Sequence, residues 1–132
     1  MTDQRPIELI LARNFLSSVS TPSFLVDAAG EVVFFNESAG RLLGQRFEES
    51  GRMPASEWTA KFGPLDEDGQ PMAYDKLPLM IALQKGRPAH ARMTIRSLQG
   101  VHHPIEASAM PIVGANGFQG ALVIFWEREG EG

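Results

Sequence analysis

The apolar segment near the end of the chain, residues 119–126, restricts the possible folds more than any other stretch. After Gln119 and Gly120 it reads ALVIFW. Successive residues of a strand point to opposite faces of a sheet. One face would therefore carry Ala121, Val123 and Phe125, and the other Leu122, Ile124 and Trp126. Because both faces are apolar, the pattern predicts a strand that needs cover on each side.

Two alternating segments precede this strand and predict a three-stranded meander. They span residues 90–97 and 103–110, with turns at 98–101 and 114–117, and Pro111 is expected to end the second strand. The residues predicted to face inward are Ala91, Met93, Ile95, Ile105, Ala107 and Ala109, and those predicted to face outward are Arg92, Thr94, Arg96, Glu106 and Ser108. An antiparallel arrangement follows.

The first half of the chain predicts a hairpin and a short helix. Residues 23–27 (SFLVD) and 31–35 (EVVFF) flank a turn that contains Gly30. Asn36 is a favoured N-cap residue for the segment ESAGRLLG, and Gly44 is placed to end that helix.

The middle of the chain is less regular. Residues 45–70 show no sustained hydrophobic periodicity, although short helical turns are expected at 55–61. A helix is predicted over Tyr74 to Lys85, with Asp75 as its cap and Gly86 as its end. Pro78 is tolerated near its start because the first turn needs no amide donor. The fold class is therefore α+β, an antiparallel sheet with helices gathered on one side.

An amphipathic helix is predicted at the N-terminus, from Pro6 to Val19. One apolar stripe comprises Leu9, Ala12, Leu16 and Val19, and a second comprises Ile7, Leu11 and Phe15. This helix is the expected cover for the outer face of the last strand, either within one chain or from a second subunit. A homodimer is the economical hypothesis, with candidate interface residues Leu9, Ala12, Leu16, Val19, Leu122, Ile124 and Trp126.

Four alanines fall on the predicted inner face: Ala91, Ala107, Ala109 and Ala121. Small residues there either let helices pack closely or leave room for a ligand. If the second alternative holds, the candidate pocket residues are Phe24, Val26, Leu77, Ile81, Met93, Ile95, Ile105, Ala107, Val123 and Phe125.

Composition excludes several classes of protein. The 132 residues fit one domain, and a net charge of -4 disfavours nucleic acid and anionic membranes as partners. Glu8 and Arg13 interrupt the apolar N-terminal segment, so it is neither a signal peptide nor a membrane span, and a cytoplasmic location is expected. The cysteine count of 0 excludes disulfides, thiolate metal sites and cysteine nucleophiles.

No catalytic constellation is visible, and we expect no enzymatic activity. The serines lack a nucleophile-elbow glycine pattern. The acidic cluster of Asp66, Glu67 and Asp68 precedes a turn glycine and lacks the distal glutamate of a calcium loop. His102 and His103 are adjacent on a predicted strand edge and point to opposite faces, so they do not readily chelate one metal.

Three strings resemble the PAS (Per-Arnt-Sim) family when taken in order: FLVDAAGEVVFFNESAGRLLG, GPLDEDGQPMAYDKLPLMIALQKGRP and IEASAMPIVGANGFQGALVIFW. They match its opening hairpin with an asparagine-capped helix, its acidic turn with a long helix, and its closing strands. The resemblance implies a five-stranded antiparallel sheet with helices over one face. It also implies a sensory and dimerising role, a ligand cavity between sheet and long helix, and an output domain or signalling partner protein.

The resemblance divides the chain into an N-terminal helix at 1–20, a PAS domain at 21–127 and a frayed tail or linker stub at 128–132. It requires no particular cofactor. Without cysteine, thiol-linked flavin and coumaroyl chromophores are excluded. Haem-binding members place a histidine on or near the long helix. Here the predicted long helix has no histidine, and His90 lies beyond its end. Many members close with an aspartate–aliphatic–threonine string, which Glu127, Arg128 and Glu129 replace here. Two functions remain: a ligand sensor, and an interaction module with a filled core.

Overall fold

The computed structural model describes residues 7–114 and 117–128, without the side chain of Phe118. The chain is α+β, as predicted. Its helices are α1 (Ile7–Ser18), α2 (Glu37–Leu43), α3 (Phe47–Ser50), α4 (Ala55–Phe62) and α5 (Pro78–Lys85). Its strands are β1 (Ser23–Asp27), β2 (Glu31–Phe35), β3 (Met53–Pro54), β4 (Ala89–Arg96), β5 (His102–Gly114) and β6 (Gly117–Glu127).

The strands form one antiparallel sheet in the order β3-β2-β1-β6-β5-β4. The last long strand, β6, thus lies between β1 and β5, in the interior of the sheet, which explains its apolar residues on both faces. The predicted hairpin and meander are confirmed. The sheet has six strands rather than five because the two-residue β3 pairs with β2.

The short helix α2 forms as its sequence predicts. The Asn36 side chain accepts a hydrogen bond from the amide of Ala39 at 3.0 Å, the bond expected of an N-cap residue. Gly44 ends the helix with φ of 86°, in the left-handed region that favours glycine.

Two boundary predictions are wrong. Pro111 does not end β5, which runs on to Gly114. Beyond Ala109 no residue of β5 pairs with β4, so this part of the strand is an edge, where a proline without an amide donor is tolerated.

The predicted helix from Tyr74 to Lys85 is also divided. Tyr74–Lys76 form a 3₁₀ turn, and α5 begins only at Pro78, whose fixed φ suits the first helical position. Asp75 is therefore not the cap. Leu77 occupies the cap position and provides no side-chain hydrogen bond.

Helices α4 and α5 lie on the inner face of the sheet. Trp58 and Phe62 of α4 are buried, as are Pro78, Leu79, Met80 and Ala82 of α5. They pack against the inward side chains of β1, β4, β5 and β6 in one continuous core. Helical turns at 55–61 were expected from the sequence, and α4 confirms them.

Helix α1 covers part of the outer face of its own sheet. Leu9 and Leu16 are buried against Leu25, Val33 and Phe34. Ala12, Val19, Ile112 and Leu122 are half-buried at the edge of this outer cluster. The predicted cover is thus provided within one chain for Leu122, whereas Trp126 remains 38% exposed.

The side chain of Asn36 connects the end of α1 to the sheet through hydrogen bonds. Its Oδ1 accepts hydrogen bonds from the amides of Ser23 and Ala39, at 3.1 and 3.0 Å. Its Nδ2 donates to the carbonyl oxygens of Leu16 and Thr21, at 3.1 and 2.9 Å. A single buried side chain therefore joins α1, β1 and α2.

Some predictions fall outside the described residues. These are Pro6 as the first helical residue, residues 129–132 of the predicted tail, and the centre of the turn at 114–117. No helix within the described part of the chain combines the length and the apolar character that crossing a membrane requires.

Candidate ligand pocket

An apolar pocket of about 70 Å³ lies between the inner face of the sheet and the helices α4 and α5. Its wall is formed by Phe24, Leu43, Trp58, Thr59, Phe62, Pro64, Leu77, Pro78, Leu79, Met93, Ile95, Ile105, Ala107, Val123 and Phe125. Thr59 and Pro64 are only half-buried, while the other lining residues are buried. Contact with solvent is therefore greatest on the side of α4.

Eight of the ten predicted pocket residues line this space: Phe24, Leu77, Met93, Ile95, Ile105, Ala107, Val123 and Phe125. Val26 and Ile81 do not. Val26 lies two residues beyond Phe24 and pairs with Ala121, and both side chains are fully buried. Ile81 is half-buried because α5 begins at Pro78, so the predicted continuous helical face from Tyr74 does not exist.

The four inner alanines serve different purposes. Ala107 lines the pocket, whereas Ala109 and Ala121 are fully buried in the core without bordering it. Ala91 is half-buried at the edge of the core. Of the four alanines, Ala107 alone therefore borders the open space.

The sequence analysis missed the contribution of α4. Trp58, Thr59 and Phe62 supply one side of the pocket, together with Pro64 in the following loop. A usable signal existed, because Ala55, Trp58 and Phe62 recur at the spacing of one helical face. Leu43, Pro78 and Leu79 were also not predicted.

Aromatic rings give the pocket a firm wall. The ring centroids of Phe24 and Trp58 are 4.3 Å apart, and those of Trp58 and Phe62 are 5.2 Å apart in an edge-to-face arrangement. Phe125 follows at 6.1 Å from Phe24. Such tilted contacts are favourable geometries for aromatic pairs, so this wall is held by more than the burial of its area.

The chemistry of the lining restricts what can bind. None of the lining residues is ionisable, and Thr59 and Trp58 provide the only side-chain hydrogen-bonding groups. Burying a charge here without a partner would be strongly unfavourable. The volume is also far below the ~300 Å³ at the lower end of sites for drug-sized ligands. The pocket suits an uncharged molecule of few heavy atoms.

The histidines lie away from this pocket. His90 is on the outer face, with Nε2 2.8 Å from Glu106 Oε1 and its ring 5.9 Å from that of Trp126. His103 Nδ1 lies 2.7 Å from Glu127 Oε2. The pocket therefore has neither the histidine ligand nor the volume that haem requires. Among the described residues, no three metal-ligating side chains cluster in a way that could hold an ion.

One titratable group near α5 is perturbed. Burial raises the pKa of Tyr74 above its ordinary value, because desolvation disfavours the phenolate. Tyr74 lies in the 3₁₀ turn and does not border the pocket.

Several solved structures have the same arrangement of helices and strands as this chain. The PAS domain of a protein from Colwellia psychrerythraea is 20% identical, with a TM-score of 0.63 over 90% of this chain and 97% of its own. The chain has a PAS fold. The PAS domain of nitrogen regulation protein NR(II) from Vibrio parahaemolyticus is 17% identical over 89% of this chain and 98% of its own, with a TM-score of 0.61.

A LOV protein from Rhodobacter sphaeroides gives a TM-score of 0.71 at 13% identity, over 96% of this chain and 71% of its own. No protein-family model and no curated protein matches the sequence. At these identities the likeness establishes the PAS fold, and the order of hairpin, helices and meander that the sequence predicts is the order this fold has.

Proposed function

We propose that this PAS domain is a sensory module that binds a small uncharged molecule in its apolar pocket. The observation that supports the proposal is a space of about 70 Å³ lined by apolar side chains of the inner hydrophobic core. Proteins seldom retain such spaces, because empty volume removes van der Waals contacts from its lining. Similar folds occur in signalling proteins, including a two-component sensor histidine kinase.

A route from the pocket to the outer face runs through α2 and Asn36. Leu43, near the end of α2, lines the pocket, and Asn36 caps the start of the same helix. The Asn36 amide also holds the carbonyl oxygen of Leu16, in α1. A ligand that displaces α2 would therefore change the hydrogen bonds that fix the end of α1.

The output of this route is proposed to be a homodimer formed through α1. Ile7, Leu11 and Phe15 are 64%, 59% and 60% exposed, and their spacing places them on one face of the helix. Ile10 is also exposed beside them. A large unpartnered apolar stripe of this kind is typical of a protein interface. Leu9 and Leu16 face the chain's own sheet instead, so in the single chain they offer no surface to a second copy.

The sensing proposal is tested on freshly purified protein by native mass spectrometry and absorption spectroscopy, followed by thermal shift with a panel of small apolar molecules. We expect a bound species or a stabilising compound. Ala107→Leu should abolish the effect because the longer side chain fills the pocket. Ala91→Leu, at a core-edge position outside the lining, is the matched control and should retain it. A clean apo mass without any thermal shift would reject sensing.

In that case the second candidate, a ligand-free dimerisation module, is the better function. The exposed stripe on α1 favours it directly. Size-exclusion chromatography with light scattering should show a dimer for the full chain and a monomer for Leu11→Glu. Gln84→Glu introduces the same charge at an exposed position of α5, away from α1, and should remain dimeric. A dimer that persists without residues 1–20 would contradict an interface on α1.

A further inference from the structure

A second and larger space lies on the other side of the sheet. This α1 cleft has a volume of about 400 Å³ and is lined by Arg13, Ser17, Phe34, Phe35, Asn36, Glu37, Arg46, Phe47 and Glu48. It lies between α1 and the segment from α2 to α3. Its volume falls within the ~300–1,000 Å³ typical of small-molecule sites. It shares no lining residue with the apolar pocket.

The floor of the α1 cleft is aromatic and well fixed. Phe34 and Phe35 are buried, at 8% and 2% exposure. Phe47 meets both rings edge to face, with centroid distances of 5.5 Å in each case. These contacts hold the rings in place before any ligand arrives, so binding would require little side-chain ordering.

The guanidinium group of Arg13 lies over this aromatic floor. Its guanidinium carbon lies 4.6 Å from the ring centroid of Phe34 and 5.8 Å from that of Phe47. Stacking on aromatic rings occupies the flat faces of a guanidinium and leaves its in-plane N–H donors available. None of the ion pairs among the described residues includes Arg13 or Arg46.

The lining of the cleft carries no net charge, but one of its two carboxylates already has an ion-pair partner. Its lining holds two guanidinium groups, of Arg13 and Arg46, and two carboxylates, of Glu37 and Glu48. Glu37 is already paired with Arg41, at 3.7 Å on the surface of α2. Two guanidinium groups therefore face a single carboxylate that has no ion-pair partner among the described residues.

We propose that the α1 cleft binds a small organic carboxylate with an apolar body. The carboxylate would pair with Arg13 and Arg46, since guanidinium groups match carboxylate geometry and form strong charge-assisted hydrogen bonds. The apolar body would lie against Phe47, which is half-buried, because Arg13 covers the ring of Phe34. Because Arg13 belongs to α1 and Arg46 follows α2, the bound ligand joins two elements and stabilises α1 against the sheet. This site does not depend on the sensing role of the apolar pocket.

The test uses the full chain labelled with ¹⁵N and titrated with sodium benzoate, followed by amide chemical shifts. Benzamide is the matched probe, since it has the same ring without the charge. We expect benzoate to shift amides at 13–17 and 46–48 in a saturable manner, and benzamide to bind at least tenfold more weakly. Arg46→Gln should weaken benzoate about tenfold. Arg87→Gln removes an equal charge from an exposed position outside the cleft and should leave the affinity unchanged.

Hydrogen exchange provides a second readout, in which saturating benzoate should slow exchange in α1. The proposal is overturned if benzoate and benzamide bind equally, because the apolar floor alone would then be responsible. It is also overturned if the shifts map to Trp58 and Phe62, since the probe would then occupy the apolar pocket, or if no saturable shift occurs. Arg46 is exposed and outside the core, so the Arg46→Gln result does not depend on the folding of a weakened variant.

Discussion

The two faces of the sheet bury hydrophobic clusters of very different size. On the inner face, 22 buried residues from the sheet, α2, α4 and α5 form one core. On the outer face, the cluster has five buried members among the residues that the structure describes: Leu9, Leu16, Leu25, Val33 and Phe34. The buried members of the outer cluster come from α1, β1 and β2, whereas all six strands contribute to the inner core.

This difference indicates where the molecule can move. Parts of a protein with few buried apolar contacts open locally at a lower free energy than the global unfolding transition. Helix α1 supplies only Leu9 and Leu16 as fully buried side chains. The inner core should therefore determine global stability, and α1 should be the element that responds to ligands and partners.

The largest effect is expected for removal of the central aromatic side chain on the inner face. Trp58→Ala should lower the free energy of unfolding by about 3–5 kcal/mol, because it leaves a void beside Phe24 and Phe62. Trp126→Ala is the same substitution on the outer face, where the ring is 38% exposed, and should cost about 1 kcal/mol or less. Urea denaturation followed by circular dichroism compares the two. Equal losses would contradict the proposed difference between the faces.

Asn36 tests the connection between the two clusters. Asn36→Ala should cost about 3 kcal/mol, since it removes a helix cap and leaves several buried backbone groups without partners. Asn14→Ala, at an exposed position of α1, should change stability by less than about 0.5 kcal/mol. Chemical denaturation of both variants is the measurement. A small effect at Asn36 would show that α1 is held to the sheet mainly by apolar packing.

Much of the fold could be predicted from local patterns. Apolar residues on both faces of β6 predicted cover on each side, and the structure places that strand between β1 and β5. Asn36 and Gly44 set the limits of α2 because a capping side chain and a left-handed residue act within a few positions of themselves. Seven of the eight pocket residues that were predicted lie on strands and followed from assigning faces to them, since side chains alternate strictly along a strand.

The missing parts depend on contacts between distant segments. One missed feature is local instead: the helix that ends at Lys85 is shorter than predicted, because a proline disfavours helical backbone in the residue before it and Leu77 is extended. The two-residue β3 exists only because Met53 meets Val32 on the sheet edge. The α1 cleft was not foreseen, because Arg13 and Phe34 lie in different elements and meet only when α1 packs on the sheet.

The outer cluster itself is tested by Leu9→Ala. Removing this buried side chain should destabilise α1 by about 2 kcal/mol. If α1 opens as a separate unit, its amides should exchange faster while those of β5 and β6 keep their protection. Leu11→Ala, in the exposed stripe of the same helix, is the control and should leave monomer exchange nearly unchanged. Equal loss of protection in α1 and β6 would mean that the two faces unfold together.

The smallest expected change in the free energy of unfolding concerns two alanines of the inner face, one beside the apolar pocket and one outside its lining. Ala107 and Ala109 lie two residues apart on the same face of β5, but only Ala107 borders the apolar pocket. Ala109→Leu should cost about 1–3 kcal/mol, because added carbons in a packed core force neighbouring side chains and backbone apart. Ala107→Leu should change the free energy of unfolding by less than about 1 kcal/mol, since the new side chain enters existing space. Chemical denaturation of both variants measures the difference, and equal costs would indicate that the pocket is closed to an added side chain and, by the same reasoning, to a ligand.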